Sequence, residues 1–283
     1  MPQLCILTDN TAQFPVPVFP GRHLVQVISL HVENEGEYFG KSEGVKANDF
    51  PKSLNNGHSL KAIAPSVEEF ELMFASLGQH YEEILTIVHS ANFSKTYENA
   101  QLAVENSKGR EKIHVVDAQT ISTGLGLVVQ AAAAAAEEGK GASEIEDYIR
   151  NLLPRLYTLF FIEGLTYLHN TEYLGKGQAL IAEHMKMLPM FVLDNEEFVP
   201  TQKARNYRHL VDLLHEFLCE FLTIDHVAIL QGIPPFENET RALRERMALD
   251  FIDTPISEHT INAPLAAIIG PRSLGMFVLQ AEE

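Results

Sequence analysis

Two mainly apolar stretches in the first half of the chain, Leu4–Leu7 and Ile84–Val88, and a further strand candidate at Ile113–Val116, each stop at a polar turn: Thr8–Thr11, Ser90–Thr96 and Asp117–Thr123. A short apolar run without polar alternation is the pattern of a strand buried on both faces. Such strands need helices to cover them, and helical patterns follow. Ser66-x-x-Glu69 reads as a capping box, with Phe70, Met73, Phe74 and Leu77 at helical spacing behind it and Gly78 at its close. Further helices are expected from Ser94 to about Asn106, from Gly124 through the alanine run Ala131–Ala136 to Gly139, and after Ser143-x-x-Glu146. The turn after Leu7 fits the same strand-to-helix pattern. Val25–Leu30 supplies one more strand, and residues 33 to 61 read as loop with one short helix. Strand and helix alternating across short turns predict a parallel, doubly wound sheet.

The order changes near Pro154. Leu156–Ile162 is expected as a strand and Leu165–Leu168 as the start of a helix. Met190–Leu193 and Glu197–Val199, separated by Asp194-Asn195-Glu196, have hairpin spacing. An amphipathic helix from Arg205 to about Phe221, a strand at Val227–Leu230 and a helix around Glu239–Leu249 follow. Apolar runs at Ala266–Ile269 and Met276–Leu279 complete the chain. Hairpins mixed with helices predict a smaller α+β domain with a mixed sheet. The chain is therefore expected to divide into an α/β domain over residues 1–156 and a mixed-sheet domain over 157–283.

The formal charge of −17 argues against nucleic acid as a partner, because an acidic surface repels phosphate backbones. Tryptophan is absent and aromatics are 8%, so no platform for stacked bases is evident. No run of about 18 apolar residues occurs, so no membrane span is expected. The opening Met1-Pro-Gln-Leu-Cys-Ile-Leu has no basic stretch ahead of its apolar residues and reads as a first strand, not a signal peptide. Cys5 and Cys219 sit in apolar surroundings without CxxC or Cys/His spacing, so both are expected as reduced core thiols of a cytoplasmic protein.

In parallel sheets, ligands collect at the carboxyl ends of the strands, where the three polar turns lie. Helix amino ends there offer unpaired N–H groups and a positive dipole end, suited to a carboxylate or phosphate. On spacing alone, Asn10, Ser94 and Thr120 serve equally as helix caps, the commonest role of such residues. Enzyme signatures are mostly missing: the chain has no G-x-S-x-G, no P-loop, no G-x-G-x-x-G after a strand and no H-E-x-x-H. Its twelve histidines are scattered without ligand spacing, so neither a metal nor a cofactor is expected. Asp9 and Asp117 at the sheet edge keep open an enzyme of unassigned chemistry, a reading that requires a polar cleft with perturbed carboxylates.

Seven segments, in chain order, resemble the DegV family. Ile6-Leu-Thr-Asp-Asn-Thr-Ala12 resembles its opening T-D-S-T-A, and Pro65-Ser66 with Glu69-Phe70 resembles the end of T-S-x-P-S. Ser90-Ala-Asn-Phe-Ser94-Lys-Thr96-Tyr97-Glu-Asn-Ala100 resembles S-S-x-L-S-G-T-Y-x-x-A. Val116-Asp117 with Thr123-Gly-Leu-Gly-Leu127 resembles V-D-S…G-L-G, and Leu165-x-Tyr167-Leu168 with Gly175-Lys176 resembles L-x-Y-L-x-x-G-G-R-I-G-K. Pro200 to Arg205 resembles P…K-V-R-T-R, and Gly270-Pro271 with Leu274-Gly275 resembles G-P-G-A-L-G. The resemblance implies a parallel α/β/α domain, a smaller mixed-sheet domain, and a long-chain fatty acid in an apolar tunnel near their junction. It implies a carboxylate held by the Thr of T-S-x-P-S and the Ser of L-S-G-T. In some members that carboxylate is presented to a separate fatty-acid kinase. The expectation is a non-catalytic carrier of a long-chain fatty acid or related acyl lipid, with such a kinase as partner. A tail gains roughly 0.8 kcal/mol per buried CH₂, so burial can hold it while hydroxyls and helix-end N–H groups meet the charge.

Several polar positions depart from the family pattern. Ala62 and Ile63 stand at Thr-Ser, Ser94 keeps the second hydroxyl with Asn92 beside it, and Lys95 replaces a glycine. Thr171-Glu172-Tyr173 lacks the basic residue of G-G-R, Arg205 matches the first Arg of R-T-R while Tyr207 replaces the second, and Ile268 stands where many members carry His. The head group is therefore expected at Ser94 and Asn92, with Ala62, Ile63 and Ile268 as altered lining. Arg205 is expected at the pocket mouth or a partner contact. Either a carboxylate relies on Ser94, backbone N–H groups and Asn92 or Lys95, or the head group is less polar. A regulatory protein with a decayed site is the third reading. The loss of basic residues at Tyr173 and Tyr207 weakens the case for the usual kinase.

Overall fold

A computed structural model describes residues 4–282 except 35–36, 42–45, 55–59, 108–111, 171–172 and 195–196. Strands β1 (Leu4–Asp9) and β2 (Val25–Ile28) are parallel neighbours. The α-helix expected between them is not there: residues 10–24, all described, hold a loop and one 3-10 turn at Arg22–Leu24. The turn itself gives the reason. The Thr11 N–H and hydroxyl both donate back to the Asp9 carboxylate, at 2.9 and 2.5 Å, which folds the chain onto the strand end instead of launching a helix.

The segment read as loop carries a small antiparallel sheet. Its strands β3 (His31–Asn34), β4 (Glu37–Lys41) and β5 (Leu60–Ile63) lie in the order β4-β3-β5, with a 3-10 turn at Ala47–Asp49 as the short helix. These strands are four or five residues long and carry Glu33, Glu37, Lys41 and Lys61 among their apolar residues, so they lack the apolar run that reveals a doubly buried strand.

Helix α1 (Val67–Leu77) starts as the capping box requires: Ser66 accepts the Glu69 N–H at 3.2 Å, and Glu69 accepts the Ser66 N–H at 2.9 Å. Then come β6 (Glu83–Val88), α2 (Thr96–Asn106), β7 (Lys112–Asp117), α3 (Thr123–Glu137) and α4 (Ala142–Leu152). Helix α4 begins ahead of the expected Ser143: the Gly141 N–H bonds to Glu144 at 3.1 Å, a closer acid than Glu146. The first sheet is parallel throughout, in the order β2-β1-β6-β7, so the carboxyl ends of β1, β6 and β7 share one edge. One face packs on Phe70, Phe74 and Ala100 of α1 and α2; the other packs on Val129, Ala132 and Ile149 of α3 and α4.

Strand β8 (Leu156–Ile162) opens the mixed sheet. After it come α5 (Leu165–Asn170), α6 (Lys176–His184), β9 (Leu188–Asp194), β10 (Glu197–Ala204) and α7 (Tyr207–Leu218). The chain ends with β11 (Ile224–Gln231), α8 (Glu237–Asp250), β12 (Ile256–Thr260), α9 (Ala263–Ile269) and β13 (Ser273–Gln280). The order is β10-β9-β8-β13-β11-β12, antiparallel except for β11 beside β12. The β9–β10 hairpin forms as its spacing predicts, and Asn195-Glu196 lies outside the described residues. The apolar run at Ala266–Ile269 is helical, capped by Asn262, which accepts the Leu265 N–H. Cys5 is buried, and burial pushes its thiol up to about 12. Cys219 is exposed and not a core thiol, because it falls one residue past Leu218, where α7 runs out of the core.

One apolar cluster draws on all three sheets. Val32 and Leu60 come from the small sheet, Phe160 and Phe277 from the mixed sheet, and Phe93 and Ile121 from the turns after β6 and β7. Gly270 helps close it. At φ 85° it ends α9 against Tyr167, whose ring would lie 2.9 Å from an added Cβ. Tyr167 is itself fixed by donating to the Pro51 carbonyl at 2.6 Å. Gly270→Ala is expected to lower stability by about 2 kcal/mol, from backbone strain and the ring clash together, read as a shift in the urea unfolding midpoint.

Candidate functional site

Pairing of β1 with β6 sets Asp9 beside His89, the residue after β6. Both side chains are fully buried. One Asp9 oxygen accepts from Thr11; the other accepts the His89 N–H at 2.8 Å and the His89 Nδ1–H at 2.9 Å. Burial pushes the Asp9 carboxyl up, but the His89 ring and the hydrogen bonds from His89 and Thr11 outweigh it and hold the group below its ordinary value. An ionised carboxylate only accepts, so Nδ1 of His89 carries a proton and Nε2 faces outward.

Nε2 meets Ser94 Oγ at 2.8 Å. Ser94 Oγ lies 2.7 Å from Thr96 Oγ1 and accepts the Thr96 N–H at 3.1 Å, at the first residue of α2. A continuous chain of hydrogen bonds thus runs from a buried carboxylate to a half-buried hydroxyl at a helix amino end. Of the three residues read as helix caps, Ser94 alone serves a helix N–H. Asn10 instead accepts the Leu30 N–H, and Thr120 Oγ1 is buried with no hydrogen-bond partner among the described residues.

Ala62 and Ile268 belong to the same apolar cluster as Phe93, the residue before Ser94. Ile63 is half-buried on β5 opposite His31, and Asn99 of α2 donates to the Pro65 carbonyl at 2.7 Å, tying the end of that segment to α2. Asn92 is exposed, and its carbonyl accepts from the Tyr173 hydroxyl. Tyr173 packs on Phe93 and on Phe198 of β10, with ring centroids 5.9 and 5.2 Å apart. Thr171-Glu172 lies outside the described residues.

Arg205 is not part of this group. Phe198, near the start of β10, touches Phe93 at 5.3 Å between centroids, whereas Arg205 follows the far end of that strand, roughly 20 Å on at about 3.3 Å per residue. It is exposed. Tyr207 donates to Glu163 at 2.5 Å, Glu163 pairs with Arg272, and burial with the Glu163 charge pushes the Tyr207 phenol up to about 12.

The two acids of the enzyme reading do not share a cleft. Asp117 lines one of about 510 Å³ with Tyr97, Gln119, Glu146 and Arg150, and its oxygens accept the Ala91 and Gln119 N–H groups. Asp9 is sealed behind His89. Among the described residues, no group of three or more His, Cys, Asp or Glu could hold a metal ion, and no helix is long and apolar enough to cross a membrane. His89 is the site residue that sequence reading passed over, as one member of a polar stretch. Its signal was its place directly after a buried strand, but that pointed nowhere until β6 was known to lie beside β1.

Because the folded-state pKa of Asp9 is depressed, its contribution to stability is fully present above the ordinary carboxylate value of about 3.9 and is lost as pH falls through the lower, folded value. Asp9→Asn is expected to cost about 3 kcal/mol at neutral pH and to flatten the acid limb of a stability-versus-pH curve from urea midpoints.

The model of the family described as "Uncharacterised protein, DegV family" matches residues 3–281. A DegV domain-containing protein of Staphylococcus aureus (strain COL) is 26% identical over 286 residues, covering 99% of this chain and 100% of that protein. Among solved structures, a DegV family protein of Thermus thermophilus, described by its fatty acid binding, superposes with a TM-score of 0.82 at 22% identity, covering 99% and 100% of the two chains. The fatty acid kinase B3 protein of Streptococcus pneumoniae, loaded with linoleic acid, superposes with a TM-score of 0.83 at 16% identity and the same coverage.

Proposed function

The chain belongs to the DegV family, and from that premise we propose that it binds a long-chain fatty acid or related acyl lipid and holds it without turning it over. The observation that carries this reading is the junction at Phe93-Ser94. Phe93 is buried in the apolar cluster with Ala62 and Ile268, and the next residue offers a hydroxyl at the amino end of α2. A tail lies against the first surface and its head against the second, at roughly 0.8 kcal/mol per CH₂ buried. The fatty acids named for the Thermus and Streptococcus proteins support the ligand class. In this reading Ser94 and Asn92 flank the head group, and Ala62, Ile63 and Ile268 line its approach. The tunnel runs near the junction of residues 1–156 with 157–283.

A kinase that receives the carboxylate is the partner we propose, supported by the likeness to the kinase B3 protein and by the exposure of Arg205 as a contact. Tyr173 and Tyr207 have their hydroxyls engaged within the chain, so the docking face relies on other residues. Two unpaired cysteines support a cytoplasmic setting. The order Asp9–His89–Ser94 has the connectivity of nucleophilic serine systems. Against catalysis, Ser94 Oγ already meets Thr96 through both its N–H and its hydroxyl, which leaves no lone pair aimed at a carbonyl carbon when His89 is neutral.

Native mass spectrometry of the purified protein, followed by lipid extraction, is expected to find one fatty acid per chain. A clean unliganded mass with no uptake of palmitate or oleate would sink the proposal in favour of a decayed site. The double substitution Ala62→Thr with Ile63→Ser is expected to tighten carboxylate binding by about 1–3 kcal/mol in a titration, through restored hydrogen bonds to charge. No gain would mean that these positions do not face the head group.

A further inference from the structure

Counting protons in the Asp9–His89–Ser94 chain limits what the head-group site can offer. Nδ1 of His89 gives its proton to Asp9. With the ring neutral, Nε2 holds only a lone pair, so Ser94 must donate to it across 2.8 Å. The 2.7 Å contact between the Ser94 and Thr96 hydroxyls then needs the Thr96 proton. Both hydroxyl protons are used within the chain. A carboxylate brings lone pairs and no proton, so these two hydroxyls have nothing to give it, Ala62, Ile63 and Ile268 carry no side-chain donor, and only the neutral amide of Asn92 and backbone N–H groups are left to meet its charge.

One more proton reverses the chain. On an imidazolium, Nε2 donates to Ser94, and one of the two hydroxyl protons is released towards the ligand. The cationic ring then stands between Asp9 behind it and the carboxylate in front. The other groups around it leave this arrangement intact. Ser94, in the turn before α2, meets the ring and is backed by Thr96, the first residue of that helix; Asp117 at the end of β7 is held by the Ala91 and Gln119 N–H groups, and Lys95 beside Ser94 is exposed.

We propose that His89 takes up one proton from solvent with each carboxylate bound at Ser94, so that the site recognises a carboxylate and a proton together and separates fatty acids from lipids with neutral heads. This rests on the lipid-binding reading above and adds to it the residue that makes up for the missing hydroxyl at Ala62. The charges balance: a carboxylate and a proton enter, and the net charge of the protein with its ligand equals that of the protein alone.

The test titrates the full chain with decanoate and with decanol between about pH 6 and pH 9, a range that spans ordinary histidine titration. In two buffers of different ionisation enthalpy, calorimetry should count about one proton taken up per decanoate and none per decanol, wherever ligand-free His89 is neutral. The decanoate Kd should there weaken about tenfold per pH unit, with the decanol Kd flat. Decanoate labelled with ¹³C at its carboxyl should keep the shift of an ionised carboxylate when bound, and His89→Gln should abolish the proton uptake. A pH-independent decanoate Kd, a bound ligand that is itself protonated, or a slope that persists in His89→Gln would overturn the inference and leave lipid binding standing. If that variant does not fold, the carboxyl shift and the two-buffer count on the natural protein decide. Failure of both lipids to bind at every pH would instead remove the lipid-binding reading, and this inference with it.

Discussion

The carboxylate of Asp9 lies wholly out of water, and a charge so placed stays ionised only if donors surround it. Those donors come from two strand ends, and meeting the demand shapes both. Thr11 gives its N–H and its hydroxyl, so the chain after β1 turns sharply and crosses to β2 without a helix. His89 gives its backbone N–H and its ring, so the exit of β6 is pinned and the outer nitrogen of the ring is aimed at Ser94. The position of the half-buried Ser94 hydroxyl just before α2 is thus a consequence of satisfying the charge of Asp9 behind it.

Beside this polar chain stands its opposite. Phe198 on β10 touches Phe93, Tyr173, Phe160 and Phe191, with centroids between 5.2 and 6.2 Å apart, and so joins the turn after β6 to the mixed sheet by aromatic edges and faces. Tyr173 adds a hydrogen bond to the Asn92 carbonyl. Where a relative's pattern places a basic residue, this chain places a ring that closes the wall around Asn92 and Phe93. The surroundings of Phe93 and Ser94 are apolar where β5 and α9 join the cluster and polar at His89. This arrangement favours a ligand that brings an apolar body and a single polar end.

Features governed by near neighbours were legible in the amino-acid order. The capping box at Ser66 needs residues three apart, and the β9–β10 hairpin needs two strands joined by a short turn. The doubly buried strands β1 and β6 announced themselves as short apolar stretches, whereas β7, at the edge of the sheet and only half-buried, did so less plainly. Less legible were β3, β4 and β5, which are only four or five residues long and interrupt their apolar residues with charged ones, and the fate of Cys219, which hinges on where α7 leaves the core. Within the site, Ser94, Ala62 and Ile268 could be singled out by resemblance to family motifs. His89 could not, because its partner Asp9 is 80 residues away and nothing local distinguishes the pair. Arg205 shows the converse: a good motif match that strand length carries far from Ser94.

By itself, the sequence determined the alternation of strands and helices, the parallel character of the first sheet, the mixed character of the second and the edge on which polar turns collect. These follow from burial periodicity and from caps and turns, which act over a few residues. Only the tertiary structure decided which polar residue meets which. Strand order β2-β1-β6-β7 set Asp9 against His89, and the packing of β5, α9 and β10 around Phe93 set an apolar wall beside Ser94. Hydrogen bonds and ring contacts operate over 3 to 6 Å, so their partners are chosen by how distant segments stack in space, and the order of residues along the chain does not carry that distance.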